Sequence, residues 1–307
     1  MDLTIHRGEV LSVVGESGSG KSTLGMCITG MSTPTAGRIR FDGQDVALSS
    51  RSTRSTFRRR VQPVFQDPRS SLDPRWPIER TIREPLDAYR VGTSTERAAR
   101  VAELMDLVGL PRYLADRQPR ELSGGQQQRV AIAAALALEP DLLVADEPVS
   151  ALDVSVQAQI LNLFAELRSR LNLALLFIAH DLAVVEHLSD RVAVMYLGRI
   201  VETGPVGKIF SAPRHPYTRA LIDAIPYPDP GRKRSRIRLT GEIPSPVNPP
   251  SGCRFHPRCP VAIERCSMED PAATQFDATH HAACHVAAAE LAPPTLTIPL
   301  STEGPTL

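Results

Sequence analysis

A chain of 307 residues with 35 Lys and Arg against 34 Asp and Glu carries a formal charge of +1, so no global attraction to nucleic acid is built into it. Its first ten residues, MDLTIHRGEV, lack the basic leader and apolar core of a signal peptide. The longest uncharged apolar run, Val130 to Leu138, is too short to cross a bilayer, so a soluble, cytoplasmic chain is expected.

In chain order, Asp2 to Ile5 is predicted as a short strand, with His6-Arg7-Gly8-Glu9 turning into the next. Val10 to Thr23 then reads VLSVVGESGSGKST. An apolar strand ends at Gly15, a Gly-rich turn follows, and Lys21-Ser22-Thr23 open a helix. This is G-x-x-x-x-G-K-[ST] in the strand–loop–helix setting that gives the motif its meaning. Successive backbone N–H groups and the helix N-terminus attract phosphate, Lys21 reaches the terminal phosphates, and Ser22 is placed to ligate Mg²⁺. The helix should end near Gly30, with Cys27 a small core residue on it.

Further on, Gly37 to Gly43 reads as a strand with a turn at Asp42-Gly43. Val61 to Phe65 is another strand, stopping at Gln66-Asp67-Pro68, where the Gln66 amide can touch both metal and water. From about Ser70 to Arg129 the pattern becomes helical and polar, with stops at Gly109 and Pro111. Leu142 to Ala145 is an apolar strand with Asp146-Glu147 at its tip; Asp146 suits Mg²⁺, and Glu147 suits accepting a proton from an attacking water. Val156, Ile160, Leu163, Leu167 and Leu171 form a helical stripe. Leu175 to Ala179 is a strand ending at His180, which could hydrogen-bond a γ-phosphate. Val192 to Tyr196 and Arg199 to Val201 flank Gly198 as a hairpin. Strands alternating with helices, with polar groups at strand ends, indicate an α/β fold with a mainly parallel sheet.

The run Leu122-Ser-Gly-Gly-Gln-Gln-Gln-Arg129 places Ser123, Gly124 and Gly125 before a helix, a second anion-binding N-terminus. One nucleotide needs one such cradle per subunit, so the second implies a nucleotide held by another subunit. Two basic clusters, Arg51 to Arg60 and Arg232 to Arg238, read as solvated faces.

After Ile225 the composition shifts: 14 of the 27 prolines follow. Residues 1–225 are therefore expected to form the α/β domain, 226–292 a small Pro/Cys-rich C-terminal domain, and 293–307 a disordered tail. Four of the five cysteines, Cys253, Cys259, Cys266 and Cys284, fall in this poorly cored segment. Four thiolates on a metal would supply the missing stability. The spacing matches neither a zinc ribbon nor a ferredoxin run, and the residues alone leave zinc and an iron–sulfur cluster level, with unpaired thiols behind. His256, His280, His281 and His285 nearby are read as supporting or solvated.

GESGSGKST, the Gln66 loop, LSGGQ, LLVADE, SALD (Ser150 to Asp153) and His180 stand in the order shared by ATP-binding cassette ATPases, which the chain resembles. VFQDPRSSLDPR, RHPYTRALIDAIP and GEIPSPVNPPSGCRFHPRCP resemble the ATPase subunits of oligopeptide/dipeptide permeases, a group that includes nickel importers. The resemblance implies a P-loop core with a small antiparallel part and a helical subdomain. It implies a head-to-tail dimer, homo- or heteromeric, with ATP held by Gly15, Ser17, Gly18, Gly20, Lys21, Ser22 and Thr23 of one subunit and by Ser123, Gly124, Gly125 and Gln126 of the other. Glu147 then resembles the general base, Ser22, Gln66 and Asp146 the Mg²⁺ set, His180 the phosphate sensor, and Asp153 a link between the two sites. It further implies two transmembrane permease subunits, an external solute-binding protein, and peripheral attachment to the cytoplasmic side of the membrane. The Gln66 loop and the helical region to about Arg120 would be the docking surface. Subfamily members with this tail hold a [4Fe–4S] cluster, which favours iron–sulfur at the four cysteines.

A repair or chromosome ATPase would need a coiled-coil or zinc insertion before LSGGQ, and a translation-factor type would carry two cassettes; neither is present. Family members carry further residues ahead of a segment like DLTIHRGE, including a first strand and an aromatic that stacks on adenine. No adenine-stacking residue is assigned here; the natural start is expected upstream, with an unpaired sheet edge and weak ATP binding otherwise.

Overall fold

The computed structural model describes residues 1–46, 50–225 and 241–291. Its strands are β1 (Val10–Val14), β2 (Arg40–Phe41), β3 (Gln44–Asp45), β4 (Val61–Val64), β5 (Leu142–Asp146), β6 (Ala174–Ala179), β7 (Arg191–Tyr196), β8 (Arg199–Pro205), β9 (Thr274–Asp277) and β10 (His280–Ala282). Eight of them form one sheet in the order β4-β5-β6-β1-β7-β8-β10-β9. The β4, β5, β6, β1 and β7 neighbours are parallel; β7–β8, β8–β10 and β10–β9 are antiparallel.

The parallel strands read as continuous apolar runs because both their faces are covered. Alternate residues feed opposite cores: Leu11, Val13, Val144, Leu176 and Ile178 on one face, Val10, Val14, Leu143, Ala145, Leu175 and Phe177 on the other. The helix Lys21–Ile28 covers the first face closely; a Cβ on its Gly25 would stand 3.0 Å from Ile178 Cδ1, which would have to give way. The second face is covered by the helices Gly124–Leu136 and Val154–Leu171. The helices Ile78–Ala88 and Ser94–Leu107 pack on the first of these to give the helical subdomain. The register sets Val14 beside Ala179 and Asp146 beside Ile178. The carboxyl ends of β1, β5 and β6 therefore lie level, where α/β sheets place their ligands.

The turn at Asp42-Gly43 (φ 48° and 77°) joins β2 to β3, and Leu197-Gly198 (φ 42° and 79°) joins β7 to β8. Both have the two left-handed residues that a type I′ hairpin turn requires. The expected strand Asp2–Ile5 does not form. Strands exist only as pairs, and no neighbour among the described residues forms a ladder with this segment; Leu3 and Ile5 instead pack on the β1 core, and Arg191 donates to the Thr4 carbonyl at 3.2 Å.

The basic run Arg51 to Arg60 is a helix, and its last residue is not simply solvated: Arg60 bridges Asp42 and Asp141 at 2.7 and 2.5 Å. Toward the C-terminus, β10 pairs with β8, so residues 274–282 extend the main sheet. The Arg232 to Arg238 run and the 293–307 tail lie outside the described residues. Among the described residues no helix is long and apolar enough to cross a membrane.

Candidate nucleotide site

The turn after β1 is fixed by close approach. A Cβ on Gly15 would meet the Met195 carbonyl oxygen at 2.1 Å, and Gly20 has φ 101°. Lys21 is 4% exposed, and its Nζ donates to the Gly15 and Glu16 carbonyls at 2.8 and 3.1 Å. An ammonium has three N–H donors, so one remains for a phosphate oxygen. Burial lowers the Lys21 pKa, while the charges of Glu147 and Asp146 push it back up. Two features fit a phosphate chain in the loop. A Cβ on Gly18 would meet nothing within 4 Å, so the space beside it is open. Ser19 Oγ is buried without a hydrogen-bond partner among the described residues, a polar group of the kind that a ligand satisfies. Ser17, Ser22 and Thr23 are exposed.

The acids arrive from the neighbouring strand tip. Ser22 Oγ donates to Asp146 Oδ1 at 3.2 Å, bringing the two expected Mg²⁺ ligands together. Burial raises the Asp146 pKa and the Glu147 charge adds to the rise, opposed by the Ser22 hydrogen bond and the Lys21 charge; a divalent cation would add to that opposition. Glu147 turns the chain out of the strand at φ 45°, and its N–H donates to the Ile178 carbonyl at 2.9 Å. A left-handed non-glycine residue stores backbone strain. Glu147 Oε2 receives Gln66 Nε2 at 3.2 Å and lies 3.3 Å from His180 Nδ1. Gln66 Nε2 is also 3.3 Å from Ser150 Oγ, which itself donates to the Glu147 carbonyl at 3.0 Å. Gln66 and His180, from two separate loops, thus converge on the Glu147 carboxyl group, with Ser150 tied to the Glu147 carbonyl and to the Gln66 amide.

The second cradle stands apart from this cluster. Ser123 caps the helix Gly124–Leu136: its Oγ accepts from Gln126 N at 3.3 Å, and Gln126 Oε1 accepts from Ser123 N at 2.9 Å. A Cβ on Gly125 would lie 2.4 Å from Val156 Cγ1, and one on Gly124 3.2 Å from Leu152 Cδ2. The glycines therefore also serve close packing, Gly124 on Leu152 of the SALD segment and Gly125 on the helix that follows it. Asp153 caps the helix Val154–Leu171, accepting from Ser155 Oγ at 2.7 Å and Val156 N at 3.0 Å, and these bonds hold its carboxyl below the usual range. Among the described residues Ser123, Gly124, Gly125 and Gln126 make no hydrogen bond to the Lys21 loop.

In the C-terminal segment all four cysteines are free, Cys266 and Cys284 buried and Cys253 and Cys259 half-buried. Burial pushes the Cys253 thiol up to about 11, and Cys266, Cys284 and Cys259 push it the same way. Cys259 and Cys284 are raised too, first by burial and then by neighbouring thiols. The four are near enough to feel one another. Yet among the described residues no group of three or more His, Cys, Asp or Glu is placed to hold a metal ion, so the expected iron–sulfur cluster finds no ready-made ligand set. Of the histidines expected to be supporting or solvated, His280 is buried, with Nε2 2.7 Å from Glu202 Oε1; His256 Nδ1 meets the Cys253 carbonyl at 3.0 Å and His285 Nε2 the Glu269 carbonyl at 3.0 Å.

Sequence reasoning missed the residues that grip the phosphate loop from outside. The Tyr217 hydroxyl accepts from Glu16 N at 2.9 Å, and Arg258 pairs with the Glu16 side chain at 2.6 and 3.0 Å. The available signals were a single acid in the otherwise neutral GESGSG turn and two arginines enclosed between two cysteines.

Comparison with known proteins agrees with this geometry. The family described as "ABC transporter" matches residues 1–150, and "Oligopeptide/dipeptide transporter, C-terminal region" matches residues 201–266. A probable peptide ABC transporter ATP-binding protein from Sinorhizobium fredii is 51% identical over 300 residues, covering 96% of this chain and 85% of that protein. The oligopeptide transport ATP-binding protein AppF of Bacillus subtilis is 48% identical over 289 residues, covering 93% and 88%. Among solved structures, cbiO1 of Clostridium perfringens, part of an ABC transporter complex, is 32% identical with a TM-score of 0.63, covering 69% of this chain and 83% of that one. A dimeric ATP-binding cassette in a post-hydrolysis state with ADP and Pi is 31% identical with a TM-score of 0.60, covering 66% and 88%. The chain belongs to the ATP-binding proteins of ABC transporters, in the branch that carries the oligopeptide/dipeptide C-terminal region.

Proposed function

We propose that the protein binds and hydrolyses ATP with Mg²⁺ and so powers peptide import through a membrane ABC transporter, lying peripherally on two permease subunits that an external solute-binding protein supplies. The observation that carries the hydrolytic reading is the Glu147 carboxyl group held between Gln66 and His180, next to the Ser22–Asp146 pair. The loop N–H groups with Gly15, Ser17, Gly18, Gly20 and Thr23, and the third donor of Lys21, bind the phosphates. Ser22, Asp146 and Gln66 would hold Mg²⁺, which supplies charge neutralisation at the phosphates. Glu147 takes the proton from water, Gln66 and His180 orient Glu147, and His180 reads the γ-phosphate. Support for peptide as cargo comes from the names of the relatives and the matched C-terminal region.

The second half of the pocket, Ser123 to Gln126 with Asp153 beside it, belongs to the facing ATPase subunit. The test is made in the assembled transporter with both ATPase positions filled by this chain. Lys21→Ala and Ser123→Arg should each abolish ATP turnover, and mixing the two proteins should restore part of it through dimers with one intact pocket. No recovery on mixing would put both halves of the pocket in one chain.

The four cysteines, in the same reading, would hold a [4Fe–4S] cluster once drawn together, with zinc as the alternative. Four free cysteines in one short segment support it: burial first and neighbouring thiols after it raise Cys253, Cys259 and Cys284, and a cation would reverse that penalty. Protein prepared without air should contain iron and acid-labile sulfide and absorb brown; zinc alone, or no metal, would overturn the cluster.

A further inference from the structure

The cysteine-rich segment does not hang from the ATPase core; it reaches into the phosphate-binding loop. Phe255 and Arg258 lie between Cys253 and Cys259 and are 1% and 7% exposed. Phe255 packs edge-on against Tyr196 and tilted against Tyr217, with ring centroids 5.3 Å apart in both pairs. Beside this aromatic box Arg258 makes a bidentate pair with Glu16, Nη1 to Oε2 at 2.6 Å and Nη2 to Oε1 at 3.0 Å. The Arg258 guanidinium is held more basic than usual, first by that carboxylate. Glu16 is thereby gripped at three points: its side chain by Arg258, its N–H by the Tyr217 hydroxyl and its carbonyl by Lys21 Nζ. A second thread runs from Arg254, whose Nη1 donates to the Leu197 carbonyl, to the adjacent Gly198, whose N–H donates to the Ser19 carbonyl at 2.8 Å.

We propose that Arg258 is a positioning residue for the phosphate-binding loop, and that through the Arg258–Glu16 pair the cysteine-rich segment and the nucleotide site stabilise each other. This rests on the nucleotide-binding reading above. Arg258 does not touch the phosphates. It fixes Glu16, whose carbonyl orients the Lys21 ammonium, and the planar fork of the guanidinium sets the angle as well as the distance. The pair is mostly desolvated on the arginine side, with side-chain exposures of 6% and 25%, so water does not replace it. Coupling of this kind is reciprocal: whatever the ordered segment adds to nucleotide affinity, bound nucleotide returns to the segment.

The test uses the full chain and Mg²⁺ with mant-ATP as the probe. Glu16→Gln keeps the backbone atoms used by Tyr217 and Lys21 and should weaken mant-ATP binding about tenfold, within the usual range of such coupling. Arg258→Met keeps an apolar stem against Tyr196 and should do the same. The double variant should be no weaker than either single one, because the same interaction is lost once. Amide exchange across residues 253–259 should slow when mant-ATP binds the wild-type chain and stay unchanged in Glu16→Gln. If Arg258→Met fails to fold, Glu16→Gln and the double variant decide. Glu16→Gln binding within twofold of wild type, or wild-type exchange at 253–259 indifferent to nucleotide, overturns the proposal. A wild-type chain that does not bind mant-ATP at all would count against the nucleotide site itself, and the coupling would fall with it.

Discussion

Glu147→Gln is expected to lower ATP turnover about 10²–10⁴-fold, the usual contribution of a positioned general base, with nucleotide binding kept. Gln replaces one carboxyl oxygen by an amide nitrogen at unchanged size. The left-handed backbone at φ 45° and the N–H bond to Ile178 do not involve the side chain and should survive. What is lost is the ability to take a proton from water. Binding should not suffer, because phosphate is held by the loop, Lys21 and the helix N-terminus, and Glu147 only adds negative charge beside Lys21. Removing that charge next to an anionic ligand acts, if anything, in favour of binding. Steady-state phosphate release and equilibrium nucleotide binding separate the two quantities. Turnover within a few-fold of wild type would remove Glu147 from the chemistry, and a parallel loss of binding would make it structural.

The site was legible in the sequence wherever chemistry and local chain path are the same thing. In GESGSGKST the chain path itself demands glycine: Gly20 turns left-handed at φ 101°, and a Cβ on Gly15 would lie 2.1 Å from the Met195 carbonyl oxygen. Asp146, Glu147 and His180 were legible for a related reason. Each ends an apolar run, and parallel strands in register bring such ends to one edge. The sequence places the Gln66 amide for contact with both metal and water, and the structure adds its contact with the Glu147 carboxyl. The segment Asp2–Ile5 shows the opposite case: its composition suits a strand, but pairing is a property of the neighbour. Nor could the sequence connect Arg258 with Glu16, 242 residues away, or β10 with β8, because no periodicity encodes a contact between distant segments. Ser123-Gly124-Gly125 was read as an anion cradle alone. Its second reason, the 2.4 Å that a Gly125 Cβ would leave to Val156, appears only once two helices are packed.

That same non-local stitching carries the second large effect, expected at Glu202. Its carboxyl group is buried on β8, and three donors from two remote segments end on it. Oε1 accepts Arg214 N at 2.7 Å and meets His280 Nε2 at 2.7 Å, while Oε2 accepts His215 N at 2.9 Å. Arg214 and His215 lead into the helix Pro216–Asp223, which carries Tyr217 to the phosphate loop; His280 begins β10. Burial lowers the His215 pKa to about 4, so its ring stays neutral and Nδ1 accepts from Tyr217 N at 3.1 Å. Glu202→Ala strands two backbone N–H groups and the buried His280 ring, and at about 1–3 kcal/mol for each donor left without an acceptor the loss is about 3–5 kcal/mol. For a chain of this size that is a fall in thermal midpoint of order 10 °C. The exposed pair Lys208–Asp277, on the same part of the fold, offers the contrast: half its surface meets water, and its loss should scarcely register. Thermal unfolding measures the first quantity. Amide exchange says where it is spent, and the loss of protection should appear together at residues 214–217 and 280–282, because one acceptor serves both. A midpoint within a degree or two of wild type would mean that the three donors find other partners, and that Glu202 is not what holds the C-terminal hairpin to the core.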